Sequence, residues 1–181
     1  MDRERAMKAV RELLSALGED VEREGLRETP RRVADAFAYF TSGENESAKD
    51  VLSTTFEVDG GDMVIEKDIA FSSTCEHHLM PFFGTVAIAY IPDKKVVGLS
   101  KLARCVEVYA RRLQLQERMT EQIAEAIMTY LQPKGVLVYC EAEHTCMTCR
   151  GVKKAGSRTV TYKVSGNFPK EKISEVLGLI R

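Results

Sequence analysis

The stretch VAIAYIPDKKVVGLSKLARCVEVYARRL, residues 86 to 113, changes its period halfway along. Val86, Ile88 and Tyr90 recur at every second position, the repeat of a strand with one face on a core. PDKK (92–95) has the residues of a turn. Beyond it, Leu102, Val106, Tyr109 and Leu113 recur at three- and four-residue intervals, and Ser100 precedes them as a cap. A strand that turns into an amphipathic helix within so few residues indicates a sheet with helices packed on it.

The flanking segments repeat both periods. Upstream, Ile65, Ile69 and Phe71 alternate with polar residues. Downstream, Met119, Ile123, Ile127 and Tyr130 line a second helix that stops before Pro133. Strands are expected at 136–142 and at 158–165, where Val160, Tyr162 and Val164 alternate. Pro169 opens a short last helix. Ahead of the sheet, residues 3–17 carry Met7, Val10, Leu14 and Leu17 on one helical face, with Gly18 as the stop. Thr29-Pro30 starts another helix, with Val33, Phe37 and Phe40 as its stripe and SGENES (42–47) as the loop that ends it. The expected class is α+β with a mainly antiparallel sheet. The expected division is an N-terminal helical region, 1–48, followed by the sheet domain, 49–181.

Composition narrows the functional classes. The 181 residues suit one domain with an appended helical piece, and 44% hydrophobic with 29% charged residues is ordinary for a globular protein. A net charge of −1 gives no overall basic field, so neither nucleic acid nor an anionic membrane is the expected partner. MDRERAMKAV has no apolar core of a signal peptide, and no apolar run reaches the length of a membrane span. The cytosol is the expected compartment, where the five cysteines read as metal ligands, buried thiols or catalytic groups before disulfides.

Two of the three histidines fall in TCEHHLMPF, residues 74–82, and the third in EAEHTCMTCRG, residues 141–151. Both segments end expected strands. Cys75 and His78 have a C-x-x-H spacing that can converge on one metal. His77 and His78, if extended, point to opposite sides. Cysteine with histidine favours zinc. Cys75, His78, Cys146 and Cys149 together would make a closed structural site, whereas three ligands with one open position would make a catalytic one. The spare histidines, His77 and His144, weigh toward catalysis. Cys105 and Cys140 lie in apolar periodic stretches and read as small buried hydrophobes.

Neither common phosphate loop is present. LSKLARC instead sets Lys101 and Arg104 at a helix start, and TPRRVA does the same with Arg31 and Arg32. A cation there opposes the helix dipole by about 0.3–1 kcal/mol unless an anion joins it. Arg150 adds a cation beside the cysteine cluster. Gln116 and Glu117 read equally well as the ordinary start of a helix.

STCEHHLMPFFGTVAIAYIP, GLSKLARCVEVYARRLQLQERMTEQIA and EHTCMTCRGV resemble, in order and spacing, the GTP cyclohydrolase I family, and ETPRRVADAF is similar to its N-terminal helical region. The resemblance runs from about residue 24 to 165. It implies a T-fold: an antiparallel sheet with two packed helices, preceded by N-terminal helices, in subunits that close into a ring, usually a decamer with sites at subunit interfaces. It implies hydrolytic opening of the purine of GTP to 7,8-dihydroneopterin triphosphate and formate, the first step toward pterins and folate.

Position by position, the resemblance makes Cys75, His78 and Cys146 ligands of one Zn2+ per subunit. His77 matches a histidine facing the substrate and His144 the proton donor to the imidazole ring. Glu117 matches the residue that grips guanine, with Gln116 beside it. Ser100, Lys101, Arg104 and Arg150 match triphosphate contacts, and Arg32 another; Ser100 and Gln116 count with the two histidines as catalytic. Cys149 departs from the family's pattern, and a thiolate there would close the site. The rival expectations are a non-catalytic, zinc-stabilised oligomer that binds a nucleotide, and the related T-fold nitrile reductase, which has no need of Cys75, His78 and Cys146 together.

Overall fold

The computed structural model describes residues 1–180. Two compact units divide at Ser42 and Gly43. In the first, α1 (Arg3–Ala16) and α2 (Thr29–Phe40) lie against one another. Asp2 caps α1 by accepting the Arg5 N–H at 3.0 Å, and Gly18 ends it with φ +83°. Glu28 takes the cap position of α2, which starts at Thr29-Pro30 as expected. Arg3 joins the two helices by an ion pair to Asp35 at 3.2 Å.

The second unit carries the sheet. In chain order its elements are α3 (Ala48–Val51), β1 (Thr55–Glu57), β2 (Val64–Cys75), β3 (Pro81–Ile91), β4 (Lys95–Val97), α4 (Leu99–Ala110), β5 (Leu113–Gln114), α5 (Gln116–Ala126), β6 (Gly135–His144), α6 (Thr145–Thr148), β7 (Thr159–Gly166) and α7 (Lys170–Ile180). Five strands form one sheet in the order β5-β2-β3-β6-β7, antiparallel except for the two-residue β5, which runs parallel to β2. β1 and β4 pair separately. With α4 and α5 packed on the sheet, this is the T-fold arrangement of the expected α+β class.

The central strands are buried on both faces. Val86, Ile88 and Tyr90 of β3, with Val136, Val138 and Cys140 of β6, meet Leu102, Val106, Met119 and Ile123 of the two helices. Each such side chain contributes about 1.5–3 kcal/mol when removed from water. On the other face, Ala87, Ala89, Leu137 and Tyr139 meet Phe168, Val176 and Ile180, so α7 makes a second core. Gly84 lets β3 and β6 approach beside the site, since a Cβ there would lie 1.9 Å from the Glu141 carbonyl oxygen.

Four local expectations are corrected. Gly98, not Ser100, stands at the cap position of α4. Leu113 has left the helix for β5, where its backbone pairs with Thr74. The last turn of the second middle helix, Ile127–Leu131, is a π-turn, whose wider spacing buries Leu131 and turns Tyr130 outward. Val160 and Tyr162 of the outer strand β7 are exposed; it is Thr161 between them that faces α5.

Candidate functional site

The candidate site lies where β2 and β6 end side by side across β3. The register pairs Thr74 with Pro81 and Phe82 with His144. Cys75, the last residue of β2, closes a tight turn: its carbonyl accepts the N–H groups of His78 (3.3 Å) and Leu79 (2.8 Å), and its own N–H donates to the Met80 carbonyl (2.8 Å). Leu79 closes the turn with φ +54°. His77 and His78 therefore sit in a turn rather than in extended chain. Their rings still diverge, 6.1 Å apart and at 87°.

β6 ends on His144, and the single-turn helix α6 then carries Cys146, which is thus not on a strand end with His144. The turn and the helix bring the Cys75, His78 and Cys146 ligand atoms within 4.8 Å of one another. His78 Nδ1 lies 3.6 Å from Cys75 Sγ. Burial pushes the Cys146 thiol up, and the adjoining Cys75 adds to that. Two sulfurs and one imidazole on a single point are a donor set that fits zinc. Cys149 stands outside the group; its exposed thiol donates to the Thr145 carbonyl at 2.8 Å. Arg150, one residue on, is exposed, and its charge acts on Cys146.

His144 sits beside this group, half-buried. The fully buried Phe82 ring stacks on its imidazole at 4.5 Å and 4°. Its Nε2 lies 2.8 Å from Gln116 Oε1. Burial lowers the His144 pKa, and the Glu117 carboxylate acts in the opposite direction. Gln116 and Glu117 open α5 and divide its two faces: Gln116 is buried, Glu117 exposed. Glu117 lines an open groove of about 350 Å³ with Thr120, Glu121, Val160, Thr161, Tyr162 and Lys163.

A set of residues absent from the sequence reading holds these parts in place. Glu76, inside the histidine turn, is ion-paired with Arg118 of α5, and this pairing draws its carboxyl below the usual range. Arg118 also donates from Nε to Gln114 Oε1 at 2.8 Å. Gln114, itself buried, donates to the Tyr109 carbonyl (3.2 Å) and to Gln122 (2.8 Å).

The expected cations are not all gathered here. Ser100, Lys101 and Arg104 lie in the first turns of α4, which follows β4 at the end of the sheet away from Cys75. α4 then runs toward the Cys75 end, where β5 pairs with Thr74 and Cys75. Twelve residues of helix span about 18 Å. Within one chain Lys101 is therefore separated from the metal-type group by most of the length of α4, and Arg104 by about half of it. Arg32 stands exposed in the first turn of α2, in the N-terminal unit.

Comparison with known proteins gives the family. The family model of GTP cyclohydrolase I matches residues 6–181, well beyond the span of the resemblance read from the motifs. GTP cyclohydrolase 1 of Clostridium perfringens is 56% identical over 168 residues, covering 93% of this chain and 91% of that protein. GTP cyclohydrolase 1 of Thermobifida fusca is 55% identical over 170 residues, covering 93% and 82%. Among solved structures, the archaeosine synthase QueF-like protein in its apo form is similar over 60% of this chain and 98% of its own, at 21% identity and a TM-score of 0.48.

Proposed function

Because the chain belongs to the GTP cyclohydrolase I family, we propose that it opens the purine ring of GTP at carbon 8, releases that carbon as formate and closes a pterin, giving 7,8-dihydroneopterin triphosphate. The observation that carries this reading is the convergence of Cys75, His78 and Cys146 beside a histidine, His144, whose ring is held on two sides. In this reading catalysis resides in the sheet domain, 49–181.

Cys75, His78 and Cys146 would hold one zinc ion, which supplies a Lewis acid and lowers the pKa of water. The remaining groups belong to the chain itself. Glu117 accepts the adjacent N–H donors on the edge of guanine, an edge that adenine does not present. His144 gives a proton to the imidazole ring of the purine as it opens, the ordinary work of a general acid. His77, exposed on the same turn, faces the substrate. Lys101, Arg104, Arg150 and the Ser100 hydroxyl bind the triphosphate.

The separation of Lys101 and Arg104 from His144 along α4 favours a site shared between copies of the chain. One copy would present its metal-type group and Glu117, and its neighbour the start of α4. The open outer strand β7, with Val160 and Tyr162 exposed, offers an edge for such an assembly, a ring-shaped decamer in this reading.

The test is incubation of the zinc-loaded protein with GTP, following formate and pterin fluorescence, with ATP as control. GTP should be consumed and ATP left intact, because a hydrogen-bonding pocket rejects a base that leaves its carboxylate unpaired. Glu117→Gln should lose most turnover while keeping zinc. Binding of GTP without formate would favour a non-catalytic nucleotide-binding oligomer instead.

A further inference from the structure

Gln116 is about 1% exposed, and every polar atom of its side chain is engaged inside the protein. Its amide nitrogen lies 3.1 Å from the Cys140 carbonyl oxygen and 3.0 Å from that of Thr159. Carbonyl oxygens only accept, so the atom facing them is the NH2 group and the opposite atom is Oε1. The neighbouring hydroxyls are fixed by the same logic. Thr120 donates to the Gln116 main-chain carbonyl at 2.8 Å, which uses its one proton. Thr161, 2.7 Å from the Thr120 hydroxyl, must therefore donate to it. That leaves a Thr161 lone pair 3.2 Å from the Gln116 amide, where it shares one of the two hydrogens already directed at the carbonyls.

Three main-chain carbonyls thus set the direction of every bond in the chain Thr120–Thr161–Gln116. The chain ends at His144. Oε1 of Gln116 can only accept, so the His144 nitrogen 2.8 Å from it, Nε2, must carry a hydrogen. Phe82, stacked flat on the ring, fixes the plane in which Nε2 meets Oε1. The other ring nitrogen, Nδ1, has no partner among the described residues.

We propose that Gln116 is a positioning residue that holds His144 with its Nε2–H directed inward, so that the proton His144 exchanges during turnover is the one on Nδ1. The role of His144 as proton donor rests on the reading above; the assignment of the nitrogen, and the exclusion of Gln116 from contact with substrate, do not. The step is balanced. Imidazolium His144 gives the Nδ1 proton to a purine nitrogen, the N–H bond at Nδ1 breaks as one forms on the base, and the neutral ring keeps its Nε2–H throughout. A proton lost from Nε2 instead would leave Gln116 Oε1 facing a bare lone pair, two acceptors in contact with no hydrogen between them.

With only three histidines in the chain, 15N-histidine labelling tests this directly. Solid-state NMR of the zinc-loaded protein, without GTP, should show the His144 ring, assigned by its loss in His144→Ala, with hydrogen on Nε2 and a bare Nδ1 in the neutral form. A neutral ring with hydrogen on Nδ1 overturns the proposal, whether or not any variant folds. Gln116→Met keeps the volume and removes both acceptor and donors. It should keep zinc, show a mixture of His144 tautomers and lose at least about tenfold in kcat with KM for GTP near wild type, as for a general acid held in the wrong form. A raised KM with unchanged kcat would make Gln116 a substrate contact and defeat the proposal, as would an unchanged tautomer with unchanged kcat. Wild-type protein that shows the Nε2–H ring yet releases no formate from GTP would overturn the proposed function alone.

Discussion

Phe82 and His144 are register partners on β3 and β6, and their rings lie flat on one another 4.5 Å apart. The stack joins the core to the chemistry. Phe82 is wholly buried, so Phe82→Ala should lower stability by about 3–5 kcal/mol in denaturant unfolding. It should also reduce turnover in the fraction that remains folded, since the imidazole loses the surface that fixes its plane. Unchanged kcat in folded Phe82→Ala would show that His144 needs no such support.

Arg118 links the histidine turn to the start of α5 through Glu76 and Gln114. Arg118→Ala should leave zinc content near wild type and lower kcat several-fold. It should also change the acid response. Glu76 has its folded pKa drawn below the usual range, so its contribution to stability is present above the ordinary carboxylate pKa and is lost as pH falls through the lowered one. The variant should therefore be less stable than wild type at neutral pH and converge with it in acid. Parallel pH–stability curves would remove Glu76 from the account.

Cys146 and Cys149 are separated by the geometry of one helical turn. Cys146 falls within the metal-type group, and Cys149 donates to a carbonyl outside it. Metal analysis should find Cys146→Ser zinc-poor and inactive, because three protein ligands do not readily become two. Cys149→Ser should keep its zinc and most of its turnover. Loss of metal from both would mean a closed four-ligand site.

Cys105 and Cys140 are fully buried, and burial pushes both thiols from the ordinary value of 9.0 up to about 12. Under native conditions alkylation followed by mass spectrometry should label the exposed Cys149 first and leave these two untouched. The sign of the linkage follows. Between about 9 and 12 the unfolded chain loses thiol protons that the folded chain keeps, so both groups reduce stability as pH rises through that window. Cys105→Ala with Cys140→Ala should flatten this alkaline decline.

A site shared between copies predicts complementation. His144→Ala and a Lys101→Ala, Arg104→Ala double variant should each be inactive alone. Mixed after dissociation and reassembly, they should recover a fraction of wild-type turnover, because some interfaces then combine two intact halves. No recovery from mixed assemblies of confirmed composition would return the whole site to one chain.

Much of this was legible in the residues. The switch of period at PDKK gave the sheet and its helices, and the crowding of scarce histidines and cysteines gave the metal-type group. The apolar setting of Cys105 and Cys140 read correctly as core. What escaped depends on geometry that a period does not carry. A π-turn advances the helix face by one residue, and so Leu131 replaced Tyr130 inside. Alternation on β7 cannot say which set of residues faces in, and there the polar Thr161 won because Gln116 and Thr120 needed its hydroxyl. The turn at 76–79 folds back on the main chain of Cys75, which no side-chain pattern announces. Gln114, Gln116 and Arg118 resemble any polar helix start until their partners, far away in sequence, come into view.

The register of β6 on β3 has a bearing on misfolding. Val86 faces Cys140 and Ile88 faces Val138 in the same ladder that sets Phe82 opposite His144. A slip of one residue would turn every side chain of β6 to the other face, driving Glu141 into the apolar layer and Cys140 out of it. The cost of that inversion falls first on the core. A chain that has mispaired its central strands is thus penalised before any ligand arrives, and a nearly correct but displaced His144 is not an available state.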